Sequence, residues 1–325
     1  MRFGPVPVAD ALGAVLAHSV AVPGGRLKKG LVLEAAHLEA LREAGLAEVT
    51  VARLEPGDVG EDAAATRLAR AVMGPGLRAS VAATGRVNLF AEGPGIARVD
   101  RAAVEALNRI DPMITLATVP EWQRMGAGGM VATIKIISYG VAEAAVTATC
   151  KAGCGALSMA GPVVSRAGLV QTAVAGENGA KGHRVLADRL ARLDVTLGAN
   201  VVVPHEVAAL SSEIELTAGE VIFILTGSAT SDLNDVAPEA VRAAGGTVTH
   251  FGMPVDPGNL LFLGDLNGTP VIGLPGCARS PALNGADWVM ERILCGVPVG
   301  PADIAAMGVG GLLKDIPQRG RMRDG

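Results

Sequence analysis

The chain has 325 residues, half of them apolar and 18% charged, with a formal net charge of −4; it is long enough for two domains and has a globular, not a disordered, composition. The mildly acidic balance gives no general attraction to nucleic acid, and five Phe, two Trp and one Tyr leave no base-stacking platform. No apolar run reaches the length of a membrane span, and MRFGPVPVADALG lacks the basic start and apolar stretch of a secretion signal, so a cytoplasmic protein is expected.

The first half reads as short pieces of helix and strand. Val8 to Leu12 opens a helical stripe, and Gly24-Gly25 marks a turn before Lys28 and Lys29, a solvated pair. Leu38, Leu41 and Ala44 predict a helix over Ala35 to Ala44, stopped by Gly45. Val49 to Ala52 follows as a strand, Asp62 to Val72 as a second helix, and a third helix runs from near Asp100 to Asn108. Ile110 to Thr118 and Met130 to Ile137 are β-branched enough to be strands, with Lys135 inside the second as an interface or site lysine. Cys150 and Cys154 alone do not complete a zinc site, and with Cys277 and Cys295 they form no CxxC pair; reduced thiols are the expectation.

Residues 1–155 are taken as an amino-terminal α+β region, 156–300 as a second domain and 301–325 as a tail or linker, the Gly-rich run KAGCGALSMAGPVVS marking the boundary. The second domain alternates strands and helices: strand Leu169 to Ala173, helix Lys181 to Leu193, strand Asn200 to Val203, helix Val207 to Leu216, and Val221 to Leu225 as a strand buried on both faces. Helix 236–244, strand 247–251, strand Val271 to Leu274 and helix 281–294 complete it. This order predicts right-handed crossovers, a parallel sheet and a three-layer α/β fold.

Three loops follow strands of that sheet. In the first, a buried strand stops at Thr226-Gly227, and Ser228, Thr230 and Ser231 lead into a helix with Asp232 and Asp235; N–H groups and hydroxyls there suit a phosphate. The two carboxylates make sense beside such an anion only if they hold magnesium; the plainer alternative is that Asp235 caps the helix. Pro257-Gly258-Asn259 form a second loop. Pro275, Gly276, Arg279 and Ser280 form a third, where a guanidinium and a hydroxyl at a helix start make another anion cradle. Loops after three strands of one sheet converge on one crevice. His205-Glu206 follows another strand of the sheet, where the pair either caps the next helix or, bordering the same crevice, serves acid/base chemistry. Cys277 has no histidine nearby to activate it and is not taken as a nucleophile.

The runs TGSATSDLNDVAPEAVRAAGG and MPVDPGNLLFLGDLNGTPVIGLPGCARSPALNGADW resemble the molybdopterin-binding domain of the gephyrin-like molybdenum-insertion enzymes. In that family a TGGxSxGxxD loop, a PGKP loop and a GLPGNPxS loop line a pterin-phosphate site. The resemblance implies that Thr226, Gly227, Ser228, Thr230, Pro257, Gly258, Asn259, Pro275, Gly276, Arg279 and Ser280 bind molybdopterin or its nucleotide adduct. It makes Asp235 and Asp232 the catalytic candidates, with magnesium at Asp235. ALGAVLAHSV and LKKGLVLEAAHLEALREAGLAEVTV resemble the same enzymes more loosely. GRVNLFAEGPGIARVD and MVATIKIISYGV are similar to a branch joined to a nucleotidyltransferase that makes the cytosine dinucleotide cofactor, although no Gly-rich, Arg-containing nucleotide loop occurs in these 325 residues. The implied function is molybdenum cofactor biosynthesis by molybdate insertion or nucleotide transfer, in a homo-oligomer. The alternative is a non-catalytic module that presents the cofactor to a nucleotidyltransferase or a molybdoenzyme. A third reading is a hydrolase or nucleotide-processing enzyme that shares only the α/β domain. Asn259 stands where the family carries lysine, Asp232 where it carries glycine, and Cys277-Ala278 where it carries Asn-Pro.

Overall fold

A computed structural model describes residues 1–173 and 178–313. The chain divides into two compact units, Met1–Gly93 with Ala97–Met159, and Pro94–Ile96 with Ala160–Gly325. In the described residues no helix is long and apolar enough to cross a membrane.

The first unit is α+β. Strand Glu48–Arg53 pairs antiparallel with Arg2–Pro7 on one side and Val15–Leu16 on the other. Helix Ala35–Glu43 covers them, burying Leu38 and Leu41 with Leu16, Val49 and Val51. The expected helix from Val8 is only the 3-10 turn Val8–Asp10, because the stretch between Pro7 and the left-handed Gly13 (φ +74) is too short to nucleate an α-helix. Farther along, helix Glu61–Val72 lays Ala64, Ala65, Leu68, Ala69 and Val72 against Val87, Leu89, Ile134 and Ile136. Those last four belong to a sheet ordered Ile114–Thr118, Met130–Ile136, Arg86–Ala91, Leu77–Ala79. The strand expected from Ile110 starts at Ile114, since the Asp111 carboxylate accepts the Met113 N–H at 2.8 Å and turns the chain there. Lys135 has a structural partner: its ammonium donates to the carbonyl of Thr84, whose φ is +50. Helix Glu143–Ala152 was concealed by its β-branched and threonine content; Thr149 bonds back to the Ala145 carbonyl at 2.7 Å.

The second unit is α/β in three layers. Its seven-stranded sheet runs from Thr196–Leu197 and Val201–Pro204, both beside Arg166–Ala173, through Val221–Leu225, Thr269–Gly273 and Phe262–Leu266 to Thr247–Phe251. The strands as far as Thr269–Gly273 are parallel, as expected. The far edge is not: Phe262–Leu266 pairs antiparallel with both neighbours. The cause is the two-residue turn Asn267-Gly268, both at positive φ (54° and 87°), which closes a tight hairpin with right-handed twist.

Every residue of Val221–Leu225 is buried. Ile222 and Ile224, with Val170 and Val271, meet helices Val207–Leu216 and Val236–Ala243. Leu225 points the other way, where Gly182 of helix Ala180–Ala191 approaches so closely that an added Cβ would stand 2.6 Å from its side chain. Helix Gly285–Leu294 shares that layer, tied to Ala180–Ala191 by the buried pair Arg189–Asp287 at 2.5 Å. It does not open at Pro281. Asn284 caps it, accepting the Ala286 N–H at 3.0 Å, while Asp287 accepts the Asn284 N–H at 2.8 Å. The stretch from Pro301 is not a tail at its start: Pro301–Ala306 is a helix that buries Ile304, with Pro at its first turn. The chain to Leu313 returns beside the second loop, Asp256 accepting the Leu313 N–H at 2.9 Å and donating to the Gly311 carbonyl at 2.8 Å. The run PQRGRMRDG lies outside the described residues.

Candidate functional site

The three loops leave the carboxyl ends of parallel strands or the hairpin beside them. The third is the most firmly held. After strand Thr269–Gly273, Pro275 leads into the short 3-10 turn Gly276–Arg279. Arg189, 7% exposed, reaches under this turn from helix Ala180–Ala191. Its guanidinium donates to the carbonyls of Ala278 at 2.8 Å, Ser280 at 2.7 Å and Ala282 at 3.0 Å, as well as to Asp287. A planar fork with five donors satisfies three turn carbonyls and one carboxylate at once.

The first loop is held by its own side chains. The buried Thr226 hydroxyl donates to the Ser228 carbonyl at 2.6 Å and lies 3.2 Å from that of Thr230. The Asp235 carboxylate accepts the Val236 N–H at 2.7 Å and, through its other oxygen, the Ser231 N–H at 3.0 Å; Asp232 accepts that of Asn234 at 2.8 Å. Asp235 is therefore the helix cap that the plainer sequence reading anticipated. Thr172, 2% exposed at the end of the adjacent strand, accepts the Gly227 N–H at 3.0 Å and stands 2.8 Å from His205 Nδ1. His205 is thus connected to the first loop through one hydroxyl.

The second loop follows a cis Asp256-Pro257 bond. Pro257 accepts the Gly285 N–H at 2.8 Å, and Gly258 (φ +144) lies so near Gly285 that a Cβ would be 2.9 Å from its nitrogen. No other residue fits that approach. Asn259 is exposed and turns its amide to the Met253 carbonyl at 3.4 Å.

A cavity of about 240 Å³ joins the second and third loops, lined by Pro257, Gly276, Cys277, Arg279 and Ser280 together with Lys181 and Ala282. Arg279 connects it to the first loop, its Nη2 donating to the Thr226 carbonyl at 2.7 Å. Of the sequence candidates, Pro257, Gly276, Arg279 and Ser280 therefore share one cavity, Pro275 and Gly258 shape its loops, and Thr226 is one hydrogen bond away. Gly227, Ser228, Thr230, Asp232, Asp235 and Asn259 do not line it.

A family described as Domain of unknown function (DUF8806) matches residues 5–53. No curated protein matches the chain. Among solved structures, the molybdopterin biosynthesis moea protein from Pyrococcus horikosii is similar at 14% identity and a TM-score of 0.29, over 91% of this chain and 74% of that one.

Sequence reading missed two cations. Arg189 falls on the apolar stripe of its helix with Val185, Leu186 and Leu190, and a charge on such a stripe is the signal of a buried, partnered side chain. Lys181 opens the helix that follows the strand Arg166–Ala173. The rule that ligands gather beyond the carboxyl ends of strands singles it out once it is applied to that strand too. None of the four cysteines is in a disulfide.

Proposed function

We propose that the second unit binds molybdopterin or its nucleotide adduct across the three loops and acts in molybdenum cofactor biosynthesis, transferring at the pterin's phosphate or dithiolene end. The observation that carries the reading is the joining of the loops: Arg279 lines the cavity beside Pro257 and Ser280 and donates to Thr226 of the first loop. The second and third loops thereby share a cavity, and a hydrogen bond links it to the first, which supports the reading. Positioning and charge neutralisation, without a covalent intermediate, would supply the rate.

Magnesium is commonly held by one or two carboxylates plus substrate phosphates. Asp235 and Asp232 would be the donors, but the fit is poor: among the described residues no group of three His, Cys, Asp or Glu side chains is arranged to hold a metal, and both Asp235 oxygens already accept backbone N–H groups. Arg279 and Ser280 would orient the anionic end of the ligand from the third loop.

One observation favours the second reading, a non-catalytic module that presents the cofactor to a nucleotidyltransferase or a molybdoenzyme. Both Asp235 oxygens already accept backbone N–H groups, and Asn259 faces a carbonyl of its own loop.

The test is to mix the chain with adenylylated molybdopterin, magnesium and molybdate, following AMP release alongside pterin fluorescence. Molybdate-dependent release that vanishes in Asp235→Asn is the result expected of an insertion enzyme. Tight binding without release supports the carrier. Absence of binding overturns both, and Arg279→Ala is expected to weaken pterin binding at least about tenfold, the loss of a charged hydrogen bond.

A further inference from the structure

The four-stranded sheet of the first unit has helix Glu61–Val72 on one face. Val87, Leu89, Ile134 and Ile136 pack against that helix, while the alternate positions of the same strands are exposed or half-buried on the other face. Strand pairing sets those positions in rows: Lys135 beside Arg86, Thr133 beside Asn88, and Phe90 between Met130 and Arg78. This face carries three cations and, among its described residues, no carboxylate, in a chain whose net charge is −4.

A sheet face that meets only water ordinarily mixes the two signs, and like charges directly opposite each other on paired strands cost stability. Lys135 and Arg86 are such a pair. The Lys135 ammonium donates to the Thr84 carbonyl, and at this margin Glu61 and Asp62 offset Lys135 and Lys29. Arg86 and Arg78 have no such counterweight. Both are exposed, and neither guanidinium has a hydrogen bond or ion pair among the described residues. Arg78 instead lies over the Phe90 ring, 4.9 Å from its centre. In the row between the arginines, the Thr133 hydroxyl donates to the Asn88 side-chain oxygen at 2.8 Å, which fixes the amide and leaves both of its N–H donors for a partner.

Arg86 and Phe90 stand four residues apart on one strand, about 13 Å, the reach of four extended residues or of between two and three helical turns. A compact ligand calls for a concave pocket; a broad sheet face suits a polypeptide. Met130, 49% exposed, adds an apolar contact beside Phe90.

We propose that this face docks an acidic segment of a partner protein, its carboxylates meeting Arg86, Asn88 and Arg78 and an apolar side chain resting on Met130 and Phe90. The docking face belongs to the first unit and is independent of what the second unit binds.

The experiment is fluorescence anisotropy of a labelled peptide of repeated Glu-Glu-Leu, titrated at low salt with the full chain, with its Gln-Gln-Leu counterpart and a single-stranded oligonucleotide of equal charge as comparisons. The acidic peptide is expected to bind, and the double variant Arg78→Glu/Arg86→Glu to weaken it at least about tenfold, since like charges brought together repel. Arg86→Ala should weaken it less and Arg86→Lys least, and the difference between unaltered and double variant should shrink as salt is added. Urea unfolding of each variant shows whether it is folded, and if the double variant is not, Arg86→Ala decides. Failure of the unaltered chain to bind the acidic peptide overturns the proposal, as does equal binding of the glutamine peptide or by the variants. Tighter, arginine-dependent binding of the oligonucleotide overturns it in favour of nucleic acid. Self-association that disappears in Arg86→Ala, measured by sedimentation, overturns it in favour of a second copy of this chain.

Discussion

The first and third loops both leave strands of one sheet and touch through Arg279, yet they are held in opposite ways. The first is a local construction: Thr226, Asp232 and Asp235 satisfy backbone groups within a few positions of themselves, and the Thr230 hydroxyl stands against that of Thr226. The third is held from beneath by a side chain from about ninety positions earlier, Arg189, and by the carboxylate of Asp287. A local loop tolerates the loss of one contact because its neighbours share the task. A loop held by one buried charge does not.

The largest effect should therefore come from Arg189→Met. The pair is almost wholly buried, so the substitution strands the Asp287 carboxylate and leaves three carbonyls without donors. A loss of about 3–5 kcal/mol is expected for breaking such a pair. Urea unfolding followed by Trp288 fluorescence, with Trp122→Phe as background, measures it in the second unit. Adding Asp287→Leu should return part of the loss but not all, because the carbonyls stay unserved. A cost no greater than that of removing the Asp235 cap would erase the distinction between the loops.

Thr172 tests a distant support of the first loop. Thr172→Val removes the acceptor of the Gly227 N–H and the partner of His205 in a buried setting. The expected cost is about 1–3 kcal/mol, with Thr172→Ser restoring most of it. If Val is tolerated without loss, the first loop does not rest on Thr172 and its contrast with the third sharpens.

The same division explains what was legible in the sequence. The alternation of strands and helices, the buried strand Val221–Leu225 and the capping Asp235 are local patterns, and each occurs where its residues imply. The antiparallel edge was also written locally, in Asn267-Gly268, but the apolar run ending at Leu274 reads equally well as a buried parallel strand and hid the hairpin. Pro281 suggested a helix start that Asn284 and Asp287 instead make at Gly285, because a capping box satisfies two end groups where proline merely tolerates its position. Lys181 and Arg189 were illegible for a different reason. The apolar stripe marks Arg189 as buried, but the groups that surround the two side chains, from Pro257 to Asp287, lie far along the chain, and no pattern within one helix names those.

Asp235→Ala probes the local side. It removes a helix cap and the acceptor of the Ser231 N–H, for an expected loss of about 1 kcal/mol in the same unfolding assay. Asp235→Asn keeps one acceptor oxygen and should cost less. A loss approaching that of Arg189→Met would mean that the first loop, too, hangs on a single residue.

The smallest effect is expected at Glu220, a distant support of the same kind as Arg189 but in open solvent. Its Oε2 accepts the Ser165 N–H at 2.8 Å, the Ser165 hydroxyl at 2.8 Å and the Arg166 N–H at 2.9 Å, fastening the entry of strand Arg166–Ala173. These bonds, that of the Ser165 backbone foremost, favour the charged form and hold the carboxyl below its ordinary value of 4.5. The folded protein releases this proton more readily than the unfolded chain, so the stabilisation is complete above the unfolded carboxyl's pKa and disappears as pH falls through the lower folded one. Glu220→Gln should accordingly lower the unfolding midpoint at neutral pH by a small amount, and the gap to the unaltered protein should close on acidification. A gap that widened in acid would reverse the sign. A gap independent of pH would mean that the three donors need an acceptor at this position, whatever its charge, which would make this support a matter of geometry alone.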